Sequence, residues 1–394
     1  MRMATDVTPR TRHPGLPTRR LALQWLGLLG LPCSAVAQAA PAGPQTRLAA
    51  AWQQADGGYR VGLLGVGRDP AAPLQVLHAL EVPTRAHGVH VLPDGSIVAT
   101  ARRPGDWLVH WQPGTATPPR WHWVDPSRSF NGHVIASADG SALYTTETDV
   151  DTGASLVAMR DAGSLETVAE WPTHGIDAHE LRWAPHAFAP EAAGRAAPLI
   201  VANGGVPTAP ETGRVKRDLH TMDSSLVQLD GRTGALRGQW RLADPRLSLR
   251  HLAWNAEGSM LGIALQAEHD DASARAQAPV LALFDGQRLR LAEPAPPTPA
   301  ALRGYGGSIS ATAEGWAVSC PRAGGIATFS PQGSWRGLVE LPEVCALAPA
   351  AGRLWAAGLD HSLQDAAGAA PLRHAHASAL AGARMDNHWT LAGR

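Results

Sequence analysis

Apolar and polar residues alternate along short segments of this chain, and each segment ends at a turn rich in glycine, proline or aspartate. The clearest case is HGVHVLPDGSIVATARRPGDWLVHW, residues 87–111, which predicts three strands joined by a Pro-Asp-Gly turn and a Pro-Gly-Asp turn. The same order of elements returns in the segments 132–162, 179–234, 250–286, 307–333 and 344–361. The pattern therefore predicts an all-β chain built from repeated units.

Units of about 40–50 residues with three or four strands each are typical of a β-propeller, here of the YVTN or quinoprotein type. The strand-like segments 48–66 and 386–393 lie outside the repeats, and joining them in one blade would close the ring and leave few free sheet edges. We therefore predict one propeller domain over residues 48–393 with seven blades, six or eight being the alternatives. A β-sandwich fits the number and length of the units less well. The segments 207–218 and 292–300 are predicted to be exposed connections.

Composition agrees with short strands and many turns, because the chain has 41 Gly and 32 Pro in 394 residues. Lysine and arginine balance aspartate and glutamate at 34 each. This balance gives no electrostatic reason to expect binding to nucleic acid or to an anionic membrane surface.

The N-terminal 39 residues are predicted to be a signal peptide. Arg19 and Arg20 precede the apolar run LALQWLGLLGL, which is too short to span a membrane, and small residues follow it in AVAQAA. The paired arginines favour twin-arginine export over the general secretory route, with cleavage near Ala37–Ala39. We therefore expect a periplasmic protein with no membrane span in the mature chain. In that oxidising compartment Cys320 and Cys345 could pair.

A polar, metal-competent side chain recurs at one position of the repeats, seven residues before the turn glycine or its equivalent. His133 precedes Gly140 and His251 precedes Gly258 in this way. His87 stands beside the aligned Gly88, and His388 is assigned to the closing blade. The full set is His87, His133, His179, His251, Ser308, Cys345 and His388. Because the first strand of a blade lines the central channel, we expect these side chains to converge at its mouth.

Imidazole and thiolate groups from separate rigid strands would form a preorganised site for a transition metal such as iron or copper. We therefore predict a metal site made of His87, His133, His179, His251, Cys345 and His388. The alternative is that each histidine holds a neighbouring blade through a hydrogen bond and binds nothing.

Secondary candidates for the site are Ser308, Glu147, Glu180 and Arg102. The run ETDVDTG, residues 147–153, could ligate calcium, although a solvated hairpin is the simpler interpretation. Arg102 and Arg103 are expected to pair with carboxylates such as Glu147 or Glu180. On a regular strand His179 and Glu180 would point to opposite faces, so they should not both face the channel.

Two further features indicate function less specifically than the recurring histidines. LDGRTGALRGQW, residues 229–240, resembles the end of a quinoprotein blade, and we interpret Trp240 as a blade-packing residue. His220, in the segment after the third repeat, is one more candidate ligand. The chain has no Gly-x-Ser-x-Gly, phosphate-loop or His-Glu-x-x-His motif.

The chain resembles a family of exported bacterial propellers, the domain-of-unknown-function family 1513, over roughly residues 48–392. The resemblance is carried by RAHG (85–88), ARRPG (101–105), FNGH (130–133), LYTTETD (143–149), AHELRW (178–183), LIVANGG (199–205), LSLRHLA (247–253), GYGGSI (304–309), CPRAGG (320–325), CALAP (345–349) and DNHW (386–389). It implies a periplasmic seven-bladed propeller. Because members are associated with imelysin-type iron-uptake proteins and a di-haem oxidoreductase, it also implies a role in periplasmic iron acquisition.

Three functions fit these observations. The first is a non-catalytic propeller that binds a transition metal, or a metal-bearing partner among the periplasmic iron-uptake proteins, at the channel mouth. The second is a metal-dependent oxidoreductase or hydrolase that uses the same histidines with an open coordination position. The third is a metal-free scaffold for protein interactions, in which the histidines are hydrogen-bonded. Fold alone does not choose between them.

Overall fold

A computed structural model describes residues 46–392, except 68, 70, 189–196, 209–214, 217, 294–301, 351, 352 and 369. The predicted signal peptide and its arginine pair lie outside the described residues, as do parts of the connections predicted at 207–218 and 292–300. The described residues contain no helix long and apolar enough to cross a lipid bilayer.

Strands account for most of the described chain. In chain order they are β1 (Thr46–Gln53), β2 (Tyr59–Val66), β3 (Gln75–Val82), β4 (Ala86–Val91), β5 (Ile97–Ala101), β6 (Trp107–Trp111), β7 (Arg120–Trp123), β8 (Arg128–Ala136), β9 (Ala142–Asp149), β10 (Ser155–Asp161), β11 (Thr167–Pro172), β12 (Ala178–Trp183), β13 (Leu199–Asn203), β14 (Ser225–Leu229), β15 (Leu236–Trp240), β16 (Leu247–Trp254), β17 (Leu261–Ala267), β18 (Leu281–Phe284), β19 (Leu289–Leu291), β20 (Ser308–Thr312), β21 (Gly315–Cys320), β22 (Gly325–Phe329), β23 (Trp335–Glu340), β24 (Leu347–Ala350), β25 (Arg353–Ala357), β26 (His361–Gln364), β27 (Leu372–Ala375) and β28 (Arg384–Leu391). The helical segments of the described residues are α1 (Ala272–Gln277) and 3-10 helices at Leu219–Thr221, Pro321–Ala323 and Ser378–Leu380.

The strands form four-stranded antiparallel sheets in sequence order. Five sheets are separate: β4 to β7, β8 to β11, β12 to β15, β16 to β19 and β20 to β23. An eight-stranded sheet joins the group β24 to β27 with the group of β28, β1, β2 and β3, through a single parallel pair between Leu347 and His388. The all-β propeller fold is confirmed. The blade number of seven stays a prediction, to which this grouping of the described strands conforms.

The first strands of the groups contact each other in a closed cycle, in the order β4, β8, β12, β16, β20, β24, β28 and back to β4. These inner strands therefore surround a common axis. β28 belongs to the far end of the chain, yet it pairs antiparallel with β1 over Leu48–Gln53. The chain ends thus share one blade, as the sequence pattern predicts.

Blades pack on one another through apolar faces of their strands. One such cluster, between the closing blade and the blade of β24 to β27, includes Leu48, Trp52, Ala348, Trp355 and Trp389, all buried. Burial of apolar surface between neighbouring sheets supplies the main driving force for the ring. Cys320 is also buried, and neither it nor Cys345 forms a disulfide, so the pairing considered above is not made.

Replacing Trp52 by alanine should therefore weaken ring closure. Trp52 is 2% exposed, and the loss of a buried tryptophan costs about 3–5 kcal/mol. We expect the urea midpoint of unfolding to fall accordingly, as measured by circular dichroism. Trp123→Ala is the matched control, because Trp123 is 53% exposed and its removal should change the midpoint little. Equal effects of the two substitutions would contradict this account of the closure.

Candidate functional site

Five inner strands carry a β-bulge, and each bulge contains a candidate histidine. The register shifts lie between Ala86 and Val89, Phe130 and Val134, Ala178 and Leu181, Leu249 and Leu252, and Met385 and Trp389. They enclose His87, His133, His179, His251 and His388. A bulge breaks the alternation of side chains and re-aims the residue it contains. Here the bulges turn the imidazoles toward the axis.

Glycines let the first two bulges approach closely. Gly132 has a φ of +101°, and a Cβ atom there would lie 2.9 Å from Cδ2 of His87. A Cβ atom on Gly88 would lie 2.5 Å from the carbonyl oxygen of Gly132. Since glycine alone tolerates both the backbone conformation and the contact, these two residues bring the rings of β4 and β8 together.

The five imidazoles form one cluster at the centre of the ring, which we call the histidine cluster. His87, His133 and His251 each lie within 5.9 Å of the four other rings, measured between ring centroids. One ligand nitrogen from each of His87, His133, His251 and His388 lies within 4.8 Å of the others. The offset seen in the sequence therefore brings together residues up to 301 positions apart in the chain.

Only part of the hydrogen-bonding capacity of the histidine cluster is used. Nδ1 of His87 lies 2.8 Å from Oδ1 of Asp386, and Nε2 of His179 lies 3.0 Å from Nε2 of His251. Among the described residues, no hydrogen-bond partner is present for four other buried ring nitrogens: Nε2 of His133, Nδ1 of His179, Nδ1 of His251 and Nε2 of His388. Buried polar atoms are rarely left without a partner, so these nitrogens are available for a further interaction.

Burial keeps the imidazoles uncharged. It lowers the pKa of His87 to about 3, against the hydrogen bond and charge of Asp386, and it lowers the pKa of His133, His179 and His251 well below the usual value. Burial also lowers the pKa of His388, with Glu180 acting in the opposite direction. At neutral pH each ring therefore has a nitrogen lone pair.

Asp386 is ionised beside these neutral rings. Burial opposes its charge, but the hydrogen bond from His87 and the charges of Arg85 and Arg102 outweigh burial and lower its pKa. Arg85 forms an ion pair with Asp386, and Nη1 of Arg102 lies 3.9 Å from its Oδ2. Because Nδ1 of His87 donates to this carboxylate, Nε2 of His87 is the nitrogen left with a lone pair.

A cavity of about 610 Å³ adjoins one side of the histidine cluster. His133, His251 and His388 line it, together with residues further along the inner strands such as Ile309 and Leu391. Asp177, directly before β12, pairs with Arg103 and with Arg250, which precedes His251 in β16. The histidine cluster thus has both ion-paired residues and a cavity among its neighbours.

A family model described as "Protein of unknown function (DUF1513)" matches residues 80–392. The chain belongs to this family. Solved structures similar to the DUF1513 chain include the nidogen/laminin complex, with 10% identity, a TM-score of 0.46 and coverage of 88% of this chain and 98% of that chain. The β-propeller domain of Myceliophteria thermophila Cps50 (Swd1) has 12% identity, a TM-score of 0.42 and coverage of 73% and 80%. Kuenenia stuttgartiensis hydrazine synthase has 13% identity, a TM-score of 0.43 and coverage of 85% and 79%. A search of curated proteins finds no match.

Two candidates of this DUF1513 chain lie at the starts of inner strands that have no bulge, one on its strand and one just before it. Ser308 begins β20 and lines the cavity, but the pairing of β20 with β21 is regular. Cys345 precedes β24, and burial raises the pKa of its thiol to about 11. Cys345 is not in the group of four ligand atoms. Its part in the metal site stays a prediction without a geometric contact to support it.

Glu147 lies away from the histidine cluster. Its Oε1 accepts hydrogen bonds from Nη2 of Arg160 at 2.7 Å and from the hydroxyl of Thr145 at 2.6 Å. Asp149 accepts from Thr152 at the hairpin turn and forms an ion pair with Arg128. The structure therefore places Asp149 at a hairpin turn, as the simpler interpretation of the ETDVDTG run expects, whereas Glu147 is buried in an ion pair with Arg160 and is not solvated.

The expected partners of the arginines were wrong. Arg102 lies near Asp386 and Arg103 pairs with Asp177, whereas Glu180 pairs with Arg182. These partners were missed because they lie far from the arginines in sequence, although Asp386 stands in the DNHW motif two residues before His388.

The expectation that His179 and Glu180 face opposite ways was also wrong. The bulge of β12 lies at these two residues, so both turn inward: His179 contacts His251, and Glu180 lines the cavity. Trp240 packs on Phe284 of the next blade, with ring centroids 4.5 Å apart. His220 lies in the 3-10 helix Leu219–Thr221 and is not in the group of four ligand atoms.

The lowered pKa values predict a stability that falls on acidification. Below the usual histidine pKa of 6.5, the imidazoles bind protons in the unfolded chain but stay neutral in the folded cluster. The free energy of unfolding therefore decreases as the pH falls below this value. Between pH 7 and 5 the loss is about 2 kcal/mol for each imidazole that stays neutral. Urea unfolding of metal-free protein across this range should show the loss. His133→Gln should reduce it, whereas His186→Gln, in an exposed turn, should not. A pH-independent midpoint would contradict burial of neutral imidazoles.

Proposed function

We propose that the histidine cluster binds one transition-metal ion through His87, His133, His251 and His388. The observation that carries the proposal is the convergence of one ligand nitrogen from each of these residues within 4.8 Å. Nitrogen ligands around a tetrahedral metal lie about 3.4 Å apart, since metal–nitrogen bonds are about 2.0–2.1 Å long. The rings would therefore have to close in slightly on the ion.

The donor set indicates the class of metal. Neutral imidazoles suit zinc, copper, iron and nickel, whereas magnesium and calcium require oxygen ligands. The unpartnered nitrogens of His133, His251 and His388 make no hydrogen bond that an ion would have to displace. Iron and copper, predicted from the sequence, belong to this class.

Asp386 and His179 would support the site from outside the four ligands. A carboxylate that accepts a hydrogen bond from a ligand histidine fixes the orientation of its ring and raises its basicity. Asp386 has this relation to His87. His179 contacts His251 through Nε2 and so holds the ring of that residue.

A periplasmic location and a role in iron acquisition, alone or with an iron-uptake partner, are part of the same proposal and rest on the predicted signal peptide and on the family resemblance. A metal-dependent oxidoreductase or hydrolase is the second candidate. The observation that favours it is the cavity beside His133, His251 and His388, because a catalytic metal needs an accessible face. The unpartnered nitrogens count against a metal-free scaffold.

Metal loading tests the proposal. Purified protein, freed of metal and then offered Cu²⁺, Zn²⁺ or Fe²⁺, should hold one ion per chain by elemental analysis, since four ligands converge on one point. The His133→Ala/His251→Ala double variant should lose the ion. His186→Ala/His220→Ala is the matched control and should keep it. If no metal is retained under any loading condition while the protein remains folded, the metal proposal is wrong and a metal-free scaffold for protein interactions is favoured.

Asp386→Asn tests the supporting carboxylate. The substitution preserves the shape of the side chain and removes the charge that holds His87, so we expect metal affinity to fall by about 10–100-fold with one ion per chain still bound at saturation. Competition with a chelator of known affinity measures the change. Unchanged affinity would mean that Asp386 does not position a ligand. Arg237→Gln, in an exposed ion pair with Asp230, serves as the control.

A further inference from the structure

The cavity beside the histidine cluster has the size of a small-molecule site. Its volume of about 610 Å³ lies within the range of about 300–1,000 Å³ found for such pockets. It runs from His251 along the inner strands toward Thr312 and Leu391. A ligand in it would therefore lie directly against the cluster.

Most of the cavity wall is apolar. The inner strands contribute Val134, Ala253, Ile309, Leu347 and Trp389. These side chains also belong to the buried clusters that pack the blades together, so they present only part of their surface to the cavity. A wall of this kind favours a ligand with an apolar body.

The described residues that line the cavity include more basic than acidic side chains. Arg182 and Arg353 are its cations, and Glu180 is its acid. Both oxygens of Glu180 are engaged: Oε1 accepts from Nε of Arg182 at 2.8 Å, and Oε2 accepts from the backbone N–H of Leu252 at 2.8 Å. Both oxygens of the Glu180 carboxylate therefore have a hydrogen-bond donor, and the bond to Arg182 fixes the position of its guanidinium group.

Arg182 keeps donor capacity for a ligand. Its contacts to Glu180 use Nε and Nη2, which leaves Nη1 without a partner among the described residues. Its charge also reaches the histidine cluster: after burial and the neighbouring imidazoles, Arg182 contributes to lowering the pKa of His133 and of His251. Arg182 lines the same cavity as His133, His251 and His388.

We propose that this cavity binds a small organic carboxylate with an apolar body, the carboxylate on Arg182 beside the histidine cluster and the body against Ala253, Ile309 and Trp389. Arginine donates charge-assisted hydrogen bonds to a carboxylate, and the apolar wall accommodates the rest of the molecule. The site needs no metal to form. If the cluster holds an ion as proposed above, the carboxylate would lie on its accessible face.

Phenylbutyrate and phenylbutanamide provide the test, because they have the same shape and only the first is charged. Calorimetric titration of metal-free protein should show saturable binding of the acid, at least about 10-fold tighter than of the amide. Equal affinity for the two, or no saturable binding of the acid, would overturn the proposal. A failure of metal loading would leave this measurement unaffected, so the two proposals fail separately.

Variants locate the ligand. Arg182→Gln should weaken binding of phenylbutyrate by about 10–100-fold and leave binding of phenylbutanamide unchanged. Arg182→Lys should restore part of the affinity for phenylbutyrate, because it restores the charge. Ala253→Trp, which fills the cavity, should abolish binding of both. Arg237→Gln is the matched surface control and should change neither. Circular dichroism confirms that each variant is folded.

Two further results would count against the site. Binding of the acid that survives Ala253→Trp in folded protein would place the ligand elsewhere. Binding of the acid only to metal-loaded protein, with no effect of Arg182→Gln, would show that the ion alone holds the carboxylate.

Discussion

The β-bulge is the local constraint on which the centre of this molecule depends. On a regular inner strand successive side chains point to the two faces of the sheet, and each face packs on a neighbouring blade. At Ala86–Val89, Phe130–Val134 and the three other shifts the ladder gains extra residues, and a histidine turns inward. Because the blades fix the strands on both sides, the five rings meet without any contribution from a flexible loop.

Five imidazoles in one buried space would destabilise the fold if they were charged, and burial keeps them neutral. Two of them would repel each other if protonated, and burial adds a desolvation penalty for every charge. Asp386 keeps its charge in the same region only because His87, Arg85 and Arg102 surround it. Ion pairs of Asp386 with Arg85 and Arg102 lie beside His87, whereas the cavity lined by His133, His251 and His388 is mostly apolar, so the surroundings differ from ring to ring.

Much of the fold could be predicted from the sequence, because alternation and Asp-Gly turns are local signals. The turn glycines Gly140 and Gly258 adopt positive φ, so the distance from turn to histidine is set within one hairpin, and counting seven residues back locates the ring correctly. The joining of the chain ends also followed from this reasoning, since unpaired edge strands are unfavourable.

The rest depends on contacts that no local pattern records. A bulge leaves no reliable mark in a single sequence, so the inward turn of both His179 and Glu180 was missed. Glu147 was a poor candidate because its partner Arg160 lies on the next strand and is buried with it. The pairing of Arg102 with Asp386 joins positions 284 residues apart, and the cavity arises only when the inner strands are assembled around the axis.

The position of His388 links the site to the order in which the chain is synthesised. His388 and Asp386 stand on β28, which completes a blade begun by β1. A nascent chain on the ribosome can form several blades before these residues emerge. Until then it lacks the ring of His388 and the Asp386 carboxylate that holds His87. Assembly of the full cluster therefore requires that β28 has been synthesised and has paired with β1.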